Sequence, residues 1–190
     1  MKDRKLLNIE LGRVSPDEYS SLPESGVVVV LDNVRSAHNV GSVFRTCDSF
    51  KIDRLCLCGI CAVPPSCEIH KSGLGAEDSV PWTYSKDTLD AVAELRNEGY
   101  RIVSIEQTVN SVSLETFVPD SLEEGGRYAL IFGNEVDGVS QDVVDASDMT
   151  LEIPQFGTKH SLNVSVTAGA VLWHFTMHRL RKKKQSIQTD

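Results

Sequence analysis

The 190-residue sequence has no apolar run near the roughly eighteen residues that a membrane helix requires, and no signal-peptide apolar stretch at its start. A spanning helix is therefore not expected, and a cytoplasmic location is. Positive charge is also short: 19 Lys and Arg stand against 27 Asp and Glu, for a net charge of −8. That excludes a uniformly basic nucleic-acid coat, and leaves phosphate contacts to local clusters. Two clusters stand at the ends, Lys2 to Lys5 and the run His178-Arg179-Leu180-Arg181-Lys182-Lys183-Lys184. Cysteines number five, an odd count that fits a reducing compartment better than a disulfide framework. Cys56, Cys58, Cys61 and Cys67 with His70 invite a metal, but their spacing matches no paired C-x-x-C site. Cys56 and Cys58 alternate along an apolar strand, so small buried hydrophobes are expected and no metal. Walker A, G-x-G-x-x-G, H-E-x-x-H and a Ser-His-Asp order are missing too, which leaves hydride transfer and metal chemistry without visible parts.

With 41% hydrophobic residues the chain can bury one good core, and one domain with short extensions is expected. Residues 1–25 read as an N-terminal arm, 26–178 as the domain, and 179–190 as a basic tail. The β-branched run Gly26 to Asp32 reads as a buried strand, followed by helical spacing in Val40, Val43, Phe44 and Cys47. Arg54 to Ile60 forms a second strand. Ala62 to Trp82, rich in Pro, Gly and Ser, reads mainly as loop with a short helix. An amphipathic helix spans Asp87 to Glu98, closed by Gly99. Further strands are expected at Arg101 to Ile105, Tyr128 to Phe132 and Met149 to Pro154, with helices over Ser140 to Ala146 and Ser161 to Arg181. Strands alternating with helices, apolar on both faces, predict an α/β fold: a parallel sheet covered by helices on both faces, with sites at the carboxyl ends of its strands.

Three polar clusters fall at such ends. The first carries Asn33, Asn39, Gly41 and Arg45. Asn39 at a helix mouth reads equally as an N-cap or a functional amide; Arg45, six residues on, is too far for a cap and projects a planar cation. The second is Gly133 to Gly138, which reads equally as an ordinary left-handed turn or as a rim where Gly133 lets a ligand approach the backbone and Asn134 and Glu135 supply an amide and a carboxylate. The third runs from Ile153 to Ala170. Ser161 is expected to cap the final helix, which leaves Asn163 and Ser165 unexplained by capping alone.

Together, N-x-G-x-x-x-R (Asn39, Gly41, Arg45), G-N-E-x-x-G (Gly133 to Gly138) and I-P-x-x-G-x-x-x-S-L-N-V-S-V (Ile153 to Val166) resemble the three ordered motifs of the SpoU or TrmH-type RNA methyltransferases of the SPOUT superfamily. The likeness covers about residues 26 to 178. It implies what periodicity does not: a C-terminal trefoil knot, S-adenosylmethionine as cofactor, a homodimer, and methyl transfer to a ribose 2′-hydroxyl of tRNA or rRNA. By motif position it implies that Gly133, Asn134, Ile153, Gln155 and Leu162 line the cofactor pocket, with Glu106 and Gln107 at its rim. Arg45, Asn39, Glu135, Ser161 and Asn163 then form the reaction centre. Arg45, a guanidinium that stays protonated, is expected to fix phosphate and stabilise charge on the 2′-oxygen rather than to act as the base.

The sequence departs from the family pattern at Gln155, often Met, and at Lys51, often Gly at the end of the first motif's helix. RNA affinity is expected to come from the dimer surface and the basic ends. The alternative is a non-catalytic RNA-binding or cofactor-sensing protein on the same scaffold.

Overall fold

The run Val27–Asp32 is buried at every position, which a strand achieves only when both faces of its sheet are covered. The computed structural model describes residues 3–121, 124–159 and 161–187, without the side chains of Asn8, Pro16, Asp17 and 181–187. In chain order the elements are α1 (Pro16–Tyr19), β1 (Val27–Asp32), α2 (Ala37–Ser49), β2 (Arg54–Cys58), α3 (Cys67–Gly73), β3 (Trp82–Ser85), α4 (Thr88–Asn97), β4 (Arg101–Ile105), β5 (Val112–Ser113), β6 (Tyr128–Phe132), α5 (Gln141–Asp145), β7 (Met149–Glu152) and α6 (Val164–Ile187). The seven strands form one sheet in the order β3-β2-β1-β6-β4-β7-β5, and every pairing is parallel.

Alternation along β1 divides the core in two. Val27, Val29 and Leu31 point to the side packed by α2, α3 and α6, among Val40, Phe44, Ile69, Val171 and Phe175. Val28 and Val30 point to the side packed by α4 and α5, among Ala91, Leu95 and Val143. The expected α/β sheet with helices on both faces is therefore present. Cys47, Cys56, Cys58 and Cys61 are buried in these cores and Cys67 alone is exposed. Burial pushes all four buried thiols up, Cys61 to about 11, so the thiolate that binds metal or attacks carbon is scarce. Among the described residues no group of three or more His, Cys, Asp or Glu is placed to hold a metal ion, and no helix is long and apolar enough to cross a membrane.

Gly41 explains why α2 and α3 lie so close. A Cβ there would collide with the carbonyl oxygen of Ile69 and the hydroxyl of Ser72. At the other end of α2, Lys51 sits at φ 51°, the left-handed region that favours glycine. Its ammonium lies 4.5 Å over the ring of Tyr19, which docks the N-terminal arm. Tyr19 is buried and its hydroxyl donates to the carbonyl oxygens of Cys47 (3.5 Å) and Ile52 (3.4 Å).

Several boundaries differ from the sequence reading. β3 falls at the end of the segment read mainly as loop, because an edge strand of sequence WTYS, only partly buried, carries no apolar run. β7 stops at Glu152, two residues before Pro154. The last helix begins at Val164 rather than Ser161 and continues to Ile187. Of the expected basic stretches, Lys2 and residues 188–190 lie outside the described residues, as do the side chains of 181–187. Arg179 belongs to α6 and donates to the carbonyl oxygens of Gly126 and Gly26.

Candidate active site

Three loops at the carboxyl ends of adjacent strands build a cleft of about 570 Å³: those after β4, β6 and β7, with the first turn of α6. The loop after β6 is wound by its own side chains. The Asn134 carboxamide oxygen accepts from the backbone N–H groups of Val136 and Asp137, each at 2.9 Å, while its Nδ2 donates to the Gly138 carbonyl at 3.3 Å. Gly138 takes φ 69°, and a Cβ on it would strike the Glu106 carboxylate. Glu106 in turn accepts from the N–H of Val139 (3.0 Å) and of Gln107 (2.8 Å), so it straps this loop to the end of β4. At Gly133 a side chain would collide with the backbone of Gly138 and Val139. The glycine is thus required by the chain's own turn, not only by a ligand.

A hydrogen-bond chain ties this loop to two distant segments. The Asn39 Nδ2 donates to Glu135 Oε1 at 2.7 Å, and the Asn163 Nδ2 donates to Asn39 Oδ1 at 3.1 Å. Asn163 Oδ1 accepts from the N–H and the hydroxyl of Ser165, at 2.9 and 2.6 Å. Asn163, not Ser161, therefore caps α6. Likewise Ser36, not Asn39, caps α2, its hydroxyl accepting from the Asn39 N–H at 3.3 Å. Glu135 adds a second cap from across the fold, accepting from the N–H groups of Arg35 (3.2 Å) and Ser36 (3.4 Å). Burial pushes the Glu135 carboxyl up, but hydrogen bonds from Asn39 and from the backbone N–H groups of Glu135, Arg35 and Ser36 outweigh it. The group is held below its usual range.

Of the twelve residues singled out from sequence, ten line the cleft: Glu106, Gln107, Gly133, Asn134, Glu135, Ile153, Gln155, Ser161, Leu162 and Asn163. Asn39 is buried behind it, joined through Glu135 and Asn163. Arg45 is elsewhere. Six residues along a helix turn a side chain by about 240° and advance it about 9 Å, which carries Arg45 away from the face of Asn39. It lies exposed in a second depression of about 640 Å³, with Ser42, Thr46, Ser49 and Phe50 of the same segment, Ser72 of α3, and Val166, Gly169, Ala170 and Trp173 of α6.

Sequence reasoning missed two carboxylates of the cleft, Asp137 and Glu152, and the hydroxyl of Thr167. A charge inside the strand run MTLEIP was the available signal for Glu152. With Glu106 and Glu135, four carboxylates line the cleft, and no Lys or Arg among the described residues joins them.

The sequence model of the SpoU rRNA Methylase family matches residues 26–173. A 23S rRNA (guanosine-2′-O-)-methyltransferase, RlmB, of Neisseria meningitidis serogroup B is 28% identical over 169 residues, covering 89% of this chain and 65% of that protein. The chain thus spans just under two thirds of the length of that relative. The crystal structure of an Aquifex aeolicus TrmH/SpoU tRNA modifying enzyme is similar with a TM-score of 0.76 and 27% identity, over 90% of this chain and 84% of that one. An AdoMet-bound rRNA methyltransferase from Sinorhizobium meliloti is similar with a TM-score of 0.74 and 27% identity, over 87% and 61%.

Proposed function

Because the chain belongs to the SpoU rRNA methylase family, we propose that it transfers a methyl group from S-adenosylmethionine to a ribose 2′-hydroxyl of tRNA or rRNA. The observation that carries this reading is the charge of the cleft: four carboxylates and, among the described residues, no basic side chain. A nucleotide would bring phosphate against those carboxylates. S-adenosylmethionine carries no phosphate, and its sulfonium and ammonium groups are both cationic, so it fits this lining. The apolar walls at Ile105, Phe132, Leu151, Ile153 and Leu162 suit a purine, and the volume falls within the roughly 300–1,000 Å³ of small-molecule sites.

When bound, the cofactor supplies an already activated methyl, which leaves the protein to orient the acceptor and assist loss of its proton. Ser161, exposed at the cleft, is placed to hydrogen-bond the ribose. Asn39, Glu135 and Asn163 hold the mouth of α2 against the loops of the cleft, so the reacting groups meet a preorganised surface. Glu106 and Asn134, whose side chains are engaged within the loop after β6, position the cofactor's binding surface.

Arg45 requires a second part of the proposal, the homodimer. Its depression exposes Val166 and Trp173, at 56% and 53%, an apolar face that a second copy would cover. Two copies meeting there would enclose Arg45 at the edge of the reaction centre, where its fork binds RNA phosphate and steadies charge on the 2′-oxygen. A monomeric mass by light scattering would refute the dimer. The trefoil knot belongs to the same reading, since the chain leaves β7 on one flank of the sheet and returns to lay α6 against α2.

The test pairs calorimetric titration of S-adenosylmethionine with transfer of labelled methyl to RNA from cells that lack the protein. Binding and label recovered as 2′-O-methylnucleoside are expected. No uptake of the cofactor would overturn the reading, and uptake without transfer would favour a cofactor-sensing RNA-binding protein.

A further inference from the structure

The loop from β7 to α6 supplies Gln155, Ser161, Leu162 and Asn163 to the cleft, yet one of its members points away from everything. Phe156 is 96% exposed, the most exposed aromatic side chain of the described residues. The next residue, Gly157, is in open space, and Lys159 on the same loop is exposed as well. The loops after β4 and β6 repeat the pattern: Val109, beyond β4, is 100% exposed and Val136, beyond β6, is 70% exposed. A cleft lined with carboxylates thus has apolar side chains on the loops around its mouth.

We infer that Phe156 is a substrate-recognition residue that stacks on a base of the RNA, at or next to the nucleotide whose ribose enters the cleft. The inference rests on the RNA-methylation reading above. Its physical basis is the charge distribution. The cleft's four carboxylates repel the phosphates that must come near it, so the residues that line the mouth offer the target nucleotide no ionic contact of their own. A planar apolar ring in water offers the alternative, because every base presents a π-face and stacking is nearly indifferent to salt. Lys159, three residues along, is placed to take a neighbouring phosphate outside the carboxylate wall. Phe156 would thereby set where the RNA backbone runs over the cleft.

The test is binding of labelled bulk tRNA and rRNA to the full chain and to Phe156→Ala, Phe156→Leu and Phe156→Trp, measured at two salt concentrations. Phe156→Ala is expected to weaken RNA binding by about tenfold, by the same factor at both salts, while cofactor affinity and molecular mass stay unchanged. Phe156→Leu, apolar but without a π-face, should recover little, and Phe156→Trp should recover full affinity. Undiminished RNA binding by Phe156→Ala would overturn the inference. A change in molecular mass would also overturn it, by assigning the ring to a contact between two copies. If the unaltered chain binds RNA but not the cofactor, the methylation reading fails while the Phe156 comparison still reports.

Discussion

The two ends of α2 have opposite surroundings. At its start a set of polar groups is tied together: Ser36 caps it, Glu135 accepts from Arg35 and Ser36 at 100 and 99 positions' distance in the chain, and Asn39 joins Glu135 to Asn163. Six residues later the Arg45 side chain is exposed and makes no hydrogen bond or ion pair among the described residues. The first end is fixed before any ligand arrives, and the second is not. The difference separates groups that shape the cleft from a group that, in the proposed reading, acts only with a partner. Preorganised groups cost little to use; an idle cation in water contributes little to stability.

The comparison can be broken hardest at Arg45. Arg45→Lys keeps the charge and loses the planar fork, so turnover should fall by about 100-fold or more, with cofactor affinity and melting temperature unchanged. Near-normal turnover would remove Arg45 from the reaction centre. At the other end, Asn39→Ala should act on stability first. It leaves Glu135 Oε1 without its 2.7 Å donor and the Asn163 amide without its acceptor. A loss of about 1–3 kcal/mol is expected, read as a lower melting temperature by about 2–4 °C per kcal/mol. An unchanged melting temperature would mean that the three segments are held by packing alone.

The smallest effect sharpens the contrast through pH. The Glu135 carboxyl is held below its ordinary value in the folded chain, so its contribution is complete above the unfolded value of about 4.3 and is lost as pH falls through the lowered folded value. For a group this exposed the contribution is about 0.5 kcal/mol. The stability gap between the natural chain and Glu135→Gln should be constant near neutrality and close in that acidic window. A gap independent of pH would show that the shape of the side chain matters and its charge does not.

The strands that were legible in the sequence are the central ones. Arg101–Ile105 and Tyr128–Phe132 match to the residue because both faces of each are buried and their apolar runs are unbroken. β3 was not legible, since an edge strand has one partner and less need of apolar side chains. Among the site residues, the motifs bring ten to one cleft, but sequence misassigned the start of α6 and left the cap of α2 open. Ser161 and Asn39 are residue types that cap helices, while the actual caps, Asn163 and Ser36, are distinguished only by where the backbone turns. The bond between Asn39 and Glu135 spans 96 positions and has no local signal. Nor does helical spacing by itself reveal that Arg45 faces a different depression, until the phase of α2 against the sheet is known.

The strand order has a temporal side. β6 lies between β1 and β4, so a chain emerging from the ribosome holds those two strands apart until Tyr128–Phe132 has been made. Until then β1 has one open edge and β4 has two, all of them apolar, and a copy truncated anywhere before Tyr128 is left with the halves of a sheet that cannot close.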